Sequence, residues 1–323
     1  IQEGFQAFLN SYLCFRESLV ACTQLGYASR HYKKTGDFLL NNIGRLLISC
    51  PDRPGIVAAV SHFLYEQGAN IISSDQHSSD PTGGTFFMRV EFHLPNIEES
   101  EAIFKDHFSD IANEFHMQWR FTRKSRIKRL AIFVSKAEHA LLELLWRRRS
   151  GDLMAEISMI ISNHPDLEKI SNAEGIPFHC IPVDKNERKK AEEKQIALMA
   201  GKVDLVVLAR YMQIVTPYLI GHYPNKIINI HHSFLPAFVG ANPYLQASER
   251  GVKLIGATAH YVTENLDAGP IIEQGLERVN HRHTVSDLKQ LGQHIERAVL
   301  ARAGIWHIEE RVLVHDNKTV VFT

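Results

Sequence analysis

The chain has 323 residues, and with 45% hydrophobic and 22% charged residues it has the composition of a soluble globular protein of two domains. Its 36 lysines and arginines balance its 36 acidic residues, which argues against nucleic-acid binding because binders of that class carry a basic excess. No apolar run approaches the roughly 18 residues of a membrane span. The four cysteines are scattered, so we expect a cytoplasmic protein without disulfides.

Residues 1–42 show few periodic patterns. The acidic residues Glu3, Glu17 and Asp37 argue against a transit peptide, because such peptides contain few acids. No long apolar run follows a basic start, which argues against a secretory signal. We therefore predict an extension of unknown role in this segment.

Residues 43–122 have the order β-α-β-β-α-β, which predicts a ferredoxin-like sandwich of one sheet and two helices. The first helix follows the turn D-R-P-G at residues 52–55, and Asp52 is expected to stabilise the helix N-terminus. The second helix is predicted over Ile97–Asn113, with Ile103 and Phe104 among its inward residues. The predicted strands are Arg45–Cys50, Asn70–His77, Thr85–His93 and Glu114–Phe121.

The segment 123–129 is basic and polar, and we predict that it is a linker between two domains. Such a run also occurs in nucleic-acid-binding proteins. Because no aromatic side chains alternate with the cations, a solvated hinge is favoured.

Residues 130–323 alternate strands with helices, which predicts an open α/β domain with a largely parallel sheet. The segment Asp204–Ala209 is almost wholly apolar, as expected of a strand covered by helices on both faces. Thr284 and Asp287 form a capping-box pattern at the start of a long helix. Further strands are predicted at Leu130–Val134, Ile157–Ser162, Ile176–Val183, Lys226–His231 and Ile255–Val262, with a terminal hairpin at Arg311–His315 and Lys318–Phe322.

Two polar residues mark the carboxyl end of the predicted strand Lys226–His231. Asn229 and His231 lie two residues apart, so their side chains point to the same face of the sheet, at the end where open α/β sheets bind ligands. An amide donor next to an imidazole can hold a developing oxyanion. A polar strand end whose histidine caps the next turn explains the same pattern equally well.

The segment 260–272 is predicted to be a strand followed by a loop that contains one acid, Asp267, in front of Gly-Pro. An acid at a strand end can orient water or tune a histidine. A single aspartate in a loop is more often a turn former, so this residue alone does not identify a site.

Taken together, the two segments closely resemble the folate-dependent formyltransferase family. Asn229, His231 and Asp267 match its N-x-H…D constellation, together with the flanking S-F-L-P and D-x-G-P-I-I sequences. Residues 52–55 match the marker turn of an ACT domain. An ACT domain followed by a formyltransferase domain resembles the formyltetrahydrofolate deformylases, and the resemblance runs from about Ile43 to Phe322.

The resemblance implies hydrolysis of 10-formyltetrahydrofolate to formate and tetrahydrofolate, with a role in one-carbon balance and in the supply of formate to purine synthesis. Asn229 and His231 would stabilise the oxyanion, and Asp267 would activate water. We expect no cofactor and no metal, since no cysteine pair or H-x-x-x-H pattern indicates a metal site. The alternatives are formyl transfer to an amine acceptor and a binding protein with an inert α/β domain.

The acceptor distinguishes a hydrolase from a transferase. In the family members that act on glycinamide ribonucleotide, the first strand leads into a glycine-rich phosphate loop, whereas residues 135–140 here contain no glycine. Glu138 would repel a phosphate, and a further histidine of those transferases corresponds to about Asn242. These departures favour water as the acceptor.

The same resemblance implies the substrate-binding residues. The pterin is expected against the loop 210–215, where main-chain groups can pair with the ring. Met212 and Ile214 are equally consistent with ordinary core residues. The candidate contacts are Arg210, Met212, Gln213, Ile214 and His260.

The ACT-like half is expected to bind a small effector, for which the resemblance implies methionine or glycine. Asp52 and Gly55 are the candidate contacts, because glycine permits close backbone approach at the turn. Edge strands of small sheets pair between subunits, so we also expect a homo-oligomer.

Overall fold

The computed structural model describes residues 42–80, 82–236 and 243–323, and the chain divides into two compact units with the boundary between Ser125 and Arg126. The predicted extension, residues 1–42, lies outside the described residues except for Asn42. Within the described ranges, no helix is long and apolar enough to cross a membrane.

The first unit is a four-stranded antiparallel sheet with two helices, which confirms the predicted ferredoxin-like order of elements. Its elements are β1 (Ile43–Pro51), α1 (Ile56–Glu66), β2 (Asn70–Ser78), β3 (Thr85–His93), α2 (Ile97–Glu114) and β4 (Gln118–Arg123). The strands lie in the order β2-β3-β1-β4. Alternate residues of β1, such as Leu46 and Ile48, pack with Phe104 and Phe108 of α2 in one buried core.

Two details of the first unit differ from the prediction. Ile103 is 57% exposed, because the buried stripe of α2 includes Phe104, and adjacent residues of a helix point about 100° apart. Asp52 does not stabilise the N-terminus of α1, which begins only after Gly55, a residue in the left-handed region with φ 97°. The Asp52 carboxylate instead accepts a hydrogen bond from Ser78 Oγ.

The boundary between the two units lies within the basic segment 123–129, but its charges are less solvated than predicted. β4 extends to Arg123, and the first strand of the second unit begins at Lys128. Several cations of the segment have acidic partners. Within the first unit, Arg123 pairs with Glu98 and Glu101, and Lys124 with Glu91; within the second unit, Lys128 pairs with Glu310, and Arg129 with Asp204.

The second unit contains a seven-stranded, mostly parallel sheet and a separate two-stranded hairpin, which confirms the predicted open α/β architecture. Its first half comprises β5 (Lys128–Val134), α3 (His139–Ser150), β6 (Ala155–Ser162), α4 (Glu168–Ala173), β7 (Phe178–Cys180), α5 (Arg188–Met199) and β8 (Leu205–Leu208). Its second half comprises α6 (Pro217–His222), β9 (Ile227–His231), α7 (Pro243–Glu249), β10 (Leu254–Tyr261), β11 (Ile271–Arg278), α8 (Val285–Ile308), β12 (Val312–His315) and β13 (Lys318–Val321).

The order of strands in the large sheet is β11-β10-β9-β8-β5-β6-β7. The strands from β9 to β7 are parallel, whereas β10 is antiparallel to both of its neighbours. All of β8 is buried, as its apolar sequence predicted. Thr284 and Asp287 form the predicted capping box at the start of α8.

Some elements are shorter than predicted or were not predicted. The strand predicted over Ile176–Val183 is reduced to β7, because only Phe178–Cys180 pair with β6. The helices α4, α6 and α7 contain six or seven residues, which is too short for a helical period to be recognised in the sequence.

Candidate active site

Asn229 and His231 belong to β9, and their spacing directs them to the same face of the sheet. The antiparallel neighbour β10 places His260 directly opposite Asn229, and Thr258 opposite His231. The pairing of β10 with β11 shifts register between Ala259 and His260, and such bulges redirect side chains next to functional sites. The sheet thus brings His260 next to the predicted pair.

Asp267 reaches the pair from a loop that folds back over the sheet. Because β10 runs antiparallel to β9, its last residue, Tyr261, lies opposite Ile228, near the amino end of β9. The loop returns toward His231, and Tyr261 N–H donates to the Pro270 carbonyl oxygen at 2.9 Å. Asp267 has a left-handed backbone conformation (φ 53°), which aspartate adopts more readily than most residues.

Asn229, His231, Asp267 and His260 form one cluster. His231 Nδ1 lies 3.2 Å from Asp267 Oδ2, and His260 Nε2 lies 3.6 Å from Asp267 Oδ1. Asn229 Nδ2 lies 3.3 Å from His260 Nε2. The fold therefore brings together the three predicted residues, which come from two distant segments of the sequence.

Asp267 determines which nitrogen of His231 is free to react. The hydrogen bond from His231 holds the pKa of Asp267 well below its usual range, so this residue is a carboxylate. A carboxylate only accepts hydrogen bonds, and His231 Nδ1 therefore carries the hydrogen. His231 Nε2 is buried and has no hydrogen-bond partner among the described residues. In the neutral ring, Nε2 is the basic nitrogen.

His260 has protein partners on both ring nitrogens. Its Nδ1 lies 2.9 Å from the Tyr261 carbonyl oxygen, which is an acceptor, so Nδ1 carries a hydrogen. Its Nε2 faces both the Asn229 amide, 3.3 Å away, and the Asp267 carboxylate, 3.6 Å away, so this ring connects the two residues. His260 is 2% exposed, and this burial favours a supporting role.

A cleft of about 360 Å³ opens on this cluster. One wall is the loop after β8, with Arg210, Met212, Gln213 and Ile214. Met212 and Ile214 are 59% and 48% exposed, so they are not core residues. The other lining residues are Leu208, Tyr211, Val215, Asn229, Ile230, His231, His232, His260, Val262, Thr263, Glu264, Leu266 and Asp267.

Two residues that the sequence did not single out hold this loop in place. Met212 N–H donates to Ser135 Oγ at 2.9 Å, and Ser135 Oγ donates to Asn163 Oδ1 at 2.6 Å. Ser135 and Asn163 follow the ends of β5 and β6 and are buried. Polar residues directly after buried parallel strands were the available signal, since ligands bind at that edge of the sheet.

Arg210 lines the cleft, but its guanidinium also faces a buried acid. Arg210 Nε lies 3.5 Å from Glu296 Oε2, and the Glu296 side chain is 1% exposed. The backbone of Arg210 is left-handed (φ 63°), so the chain turns sharply at this point. Contact between Arg210 and the folate stays a prediction.

His232 lies beside the cluster, with its ring centroid 5.2 Å from that of His231. Burial, reinforced by the nearby charge of Arg210, lowers the pKa of His232 to about 4. An unfolded histidine titrates near 6.5, so the unfolded chain binds a proton between these values and the folded chain does not. The contribution of His232 to stability is therefore present above pH about 6.5 and lost as the pH falls toward 4.

We expect the substitution His232→Asn to reduce the loss of stability on acidification. Between pH 7.5 and 4.5, the free energy of unfolding of the wild type should fall by about 2 kcal/mol more than that of the variant. This value allows for the partial exposure of the ring. Urea unfolding at both pH values measures this difference. The contributions of the other histidines to the pH dependence are common to both proteins and cancel in the comparison. Equal losses in the two proteins would show that His232 titrates normally.

The turn predicted to bind an effector is held by contacts within the first unit. Asp52 N–H donates to the Gly84 carbonyl oxygen at 2.9 Å. The Arg53 guanidinium lies 4.0 Å above the centre of the Phe115 ring. Gly55 has a positive φ of 97°, a conformation that glycine adopts readily. Effector contact at Asp52 and Gly55 stays a prediction.

The cluster presents an amide donor, a basic imidazole nitrogen and a carboxylate at one cleft. This set suits the attack of water on an acyl carbon, which requires a base and a donor for the oxyanion. Among the residues that the structure describes, no group of three histidine, cysteine or acidic side chains is arranged to hold a metal ion. The position near Asn242, where the transferases have a further histidine, falls outside the described ranges.

Two family descriptions match separate parts of the chain. Residues 44–107 match the ACT domain, and residues 128–303 match the formyl transferase domain. The boundary between the two matches lies in the same region as the boundary between the compact units.

Proteins of known name are similar over most of the chain. Formyltetrahydrofolate deformylase of Bacillus subtilis is 56% identical over 280 residues, which cover 86% of this chain and 93% of that protein. The crystal structure of a formyltetrahydrofolate deformylase from Pseudomonas syringae has a TM-score of 0.83 and 46% identity, and covers 92% of this chain and 100% of that one. A glycinamide ribonucleotide transformylase from Symbiobacterium toebii has a TM-score of 0.57 and 30% identity, over 61% of this chain and 95% of its own.

Proposed function

The chain belongs to the formyltetrahydrofolate deformylase family, and we propose that Asn229, His231 and Asp267 carry out its reaction. The protein hydrolyses 10-formyltetrahydrofolate to formate and tetrahydrofolate. The observation that carries the proposed roles is the free, buried Nε2 of His231, whose opposite nitrogen is bonded to Asp267.

Water attack is the first step of the proposed mechanism. The oxygen of a water molecule bonds to the formyl carbon while His231 Nε2 takes one proton of that water. The imidazolium that forms is stabilised by the Asp267 carboxylate at Nδ1. Asp267 thus activates water through His231, because its lowered pKa makes it a weak base by itself.

Collapse of the tetrahedral intermediate is the second step. The formyl oxygen carries the negative charge, which the amide N–H of Asn229 and the positive ring of His231 stabilise. The carbon–nitrogen bond then breaks, and N10 of the folate receives the proton from His231 Nε2. Tetrahydrofolate and formic acid leave, and the acid loses the second proton of the water to the solvent and becomes formate. His260 keeps the Asn229 amide oriented throughout.

The folate is proposed to bind along the loop after β8. Met212 and Ile214 supply exposed apolar surface at the cleft, and Gln213 supplies an amide that can pair with a polar ring edge. Arg210 and His260 complete the proposed set of substrate-binding residues.

Transfer to an amine is the alternative reaction, because transformylases share the fold of the second unit. Three features support water. The identity to deformylases reaches 56%, against 30% for the transformylase from Symbiobacterium toebii. Residues 135–140 contain no glycine, and Ser135 Oγ is already engaged by Met212 and Asn163 rather than open to a phosphate.

Formate release in the absence of any amine tests the proposed function. The purified protein should convert 10-formyltetrahydrofolate to equal amounts of formate and tetrahydrofolate, measured by a formate assay and by absorbance of the folate. Turnover that appears only after an amine is added would support the transferase. No turnover in either case would support a binding protein.

The ACT domain indicates a site for a small-molecule effector. Methionine and glycine are the proposed effectors, and the turn with Asp52 and Gly55 is the proposed contact. The edge strand β2, in which Ile71 and Ile72 are 36% and 53% exposed, is proposed to pair with a second copy of the chain.

The reaction is proposed to need neither a cofactor nor a metal, since Asn229, His231 and Asp267 supply the donor, the base and the charge it requires. We place the protein in the cytoplasm, which agrees with the free thiols of Cys50 and Cys180. There it would balance one-carbon pools and supply formate to purine synthesis.

A further inference from the structure

Two buried polar residues that the proposed mechanism does not use lie on the helix α5. Glu192 is 5% exposed and Gln195 is 1% exposed. They are three residues apart, so they lie on the same side of the helix, which also carries the buried residues Ala191 and Met199. A polar side chain on the buried side of a helix requires hydrogen-bond partners, because burial without them is costly.

The partners of both residues belong to the loop after β8. Gln195 Nε2 donates to Tyr211 Oη at 3.0 Å. Glu192 accepts two bonds from Thr216: the Thr216 N–H donates to Glu192 Oε1 at 2.7 Å, and the Thr216 hydroxyl donates to Glu192 Oε2. These bonds from one helix therefore hold the two ends of the segment 211–216.

Further contacts fix the same two ends. The Tyr211 ring packs edge-on against Phe133 of β5, with 5.2 Å between the ring centroids, and both rings belong to one buried core. Thr216 Oγ1 accepts from the Tyr218 N–H at 3.3 Å and so caps the start of α6. One end of the segment is thus anchored in the core, and the other at the start of a helix.

Between these ends, apolar side chains of the loop face outward. Met212 and Ile214 are exposed and line the substrate cleft, whereas Tyr211 is buried. Exposed apolar surface is unfavourable in water, so a loop that was free to move would turn these side chains inward. The bonds to α5 oppose this rearrangement and keep Met212 and Ile214 directed at the cleft.

We propose that Glu192 and Gln195 are positioning residues that set the affinity for the folate, because they hold the segment 211–216 in the conformation that faces the cleft. A ligand that binds a loop already held in shape does not have to order it, which lowers the free-energy cost of binding. This inference rests on the proposed binding of the folate along the loop after β8.

The two residues act only through the loop. Neither Glu192 nor Gln195 lines the substrate cleft. Asn229, His231 and Asp267 lie on other elements, so the reacting groups should be unaffected when an anchor is lost. Loss of an anchor should therefore weaken the binding of substrate and transition state equally, which raises KM and leaves kcat unchanged.

The substitution Glu192→Ala tests the proposal. It should raise the KM for 10-formyltetrahydrofolate and the Kd of tetrahydrofolate by about tenfold, the ordinary effect of losing a buried hydrogen bond. Its kcat, measured as formate release at saturating substrate, should stay at the wild-type value. General damage to the domain would lower kcat as well, so the two constants distinguish loop positioning from loss of structure.

Three further variants complete the test. Glu192→Gln keeps an oxygen that can accept from the Thr216 N–H, and its KM should be close to the wild-type value. Glu193→Ala changes the next residue of α5, which is exposed, and should leave both constants unchanged. If Glu192→Ala does not fold, Gln195→Met keeps the length of the side chain but removes the donor to Tyr211, and the same rise in KM is expected.

Three results would overturn the proposal. They are a folded Glu192→Ala with the wild-type KM, a folded Glu192→Ala in which only kcat falls, and a Glu192→Gln that binds as weakly as Glu192→Ala. Ile214→Ala distinguishes this inference from the proposed folate site, because Ile214 lines the cleft itself. An unchanged KM in Ile214→Ala would refute folate binding at the loop. A raised KM in Ile214→Ala beside an unchanged KM in Glu192→Ala would refute the anchoring role alone.

Discussion

Replacement of Asp267 by asparagine should lower the rate of formate release by about 10³–10⁴-fold while the folate still binds. Asparagine has almost the same shape but no charge, so it cannot stabilise the imidazolium of His231. The asparagine amide can donate as well as accept a hydrogen bond, so it does not require the hydrogen of His231 to be on Nδ1. Which ring nitrogen of His231 is basic is then no longer fixed. The lowered pKa of Asp267 shows how strongly the protein favours the charged form of this residue.

Two measurements separate the effect of Asp267→Asn on the rate from any effect on folate binding. They are single-turnover formate release and equilibrium binding of 10-formyltetrahydrofolate. Asp316→Asn is a matched control, because Asp316 also has a left-handed backbone (φ 52°) and its side chain is 87% exposed, in the β12–β13 turn. The control should retain the wild-type rate. A near-full rate in Asp267→Asn would show that His231 acts without this carboxylate.

Replacement of Asn229 by alanine should lower kcat by about 10²–10³-fold, the usual cost of losing one oxyanion donor. The formyl oxygen becomes strongly basic only as water attacks, so the Asn229 N–H stabilises the transition state more than the bound substrate. KM should therefore change little. The variant also removes the Asn229 amide from its contact with His260 Nε2, and part of the loss comes from that missing contact.

Steady-state kinetics distinguish this role of Asn229 from simple substrate binding. A raised KM with an unchanged kcat would mean that Asn229 contacts the substrate equally in the ground state and the transition state. Asn186→Ala provides the control, since Asn186 is exposed on a loop outside the cleft. It should leave both constants unchanged.

The sequence predicted parts of the site that depend on short-range geometry. The two-residue spacing of Asn229 and His231 was sufficient to place them on one face of β9. Asp267 was not predictable in this way, because nothing local shows that β10 is antiparallel to β9 or that the following loop folds back. Only the resemblance to a family connected Asp267 to the pair.

Residues that act through burial were the least predictable. Glu296 lies on α8 among ordinary polar residues, and its burial depends on His139, Arg210 and Tyr244, which are far away in the sequence. The basic segment 123–129 suggested solvated charges for the same reason, since its acidic partners lie on other elements. The prediction for Ile103 shows that an error of one residue in assigning the buried face of a helix turns a surface residue into a predicted core residue.

A double-mutant cycle of His231 and Asp267 tests the central claim most directly, namely that the imidazole and the carboxylate act as one unit on water. Single-turnover formate release is measured for His231→Ala, Asp267→Asn and the double variant. The proposed mechanism predicts that the double variant is hardly slower than the slower single variant, because the carboxylate acts only through the ring. Losses that multiply in the double variant would contradict it and would assign water activation to Asp267 independently of His231.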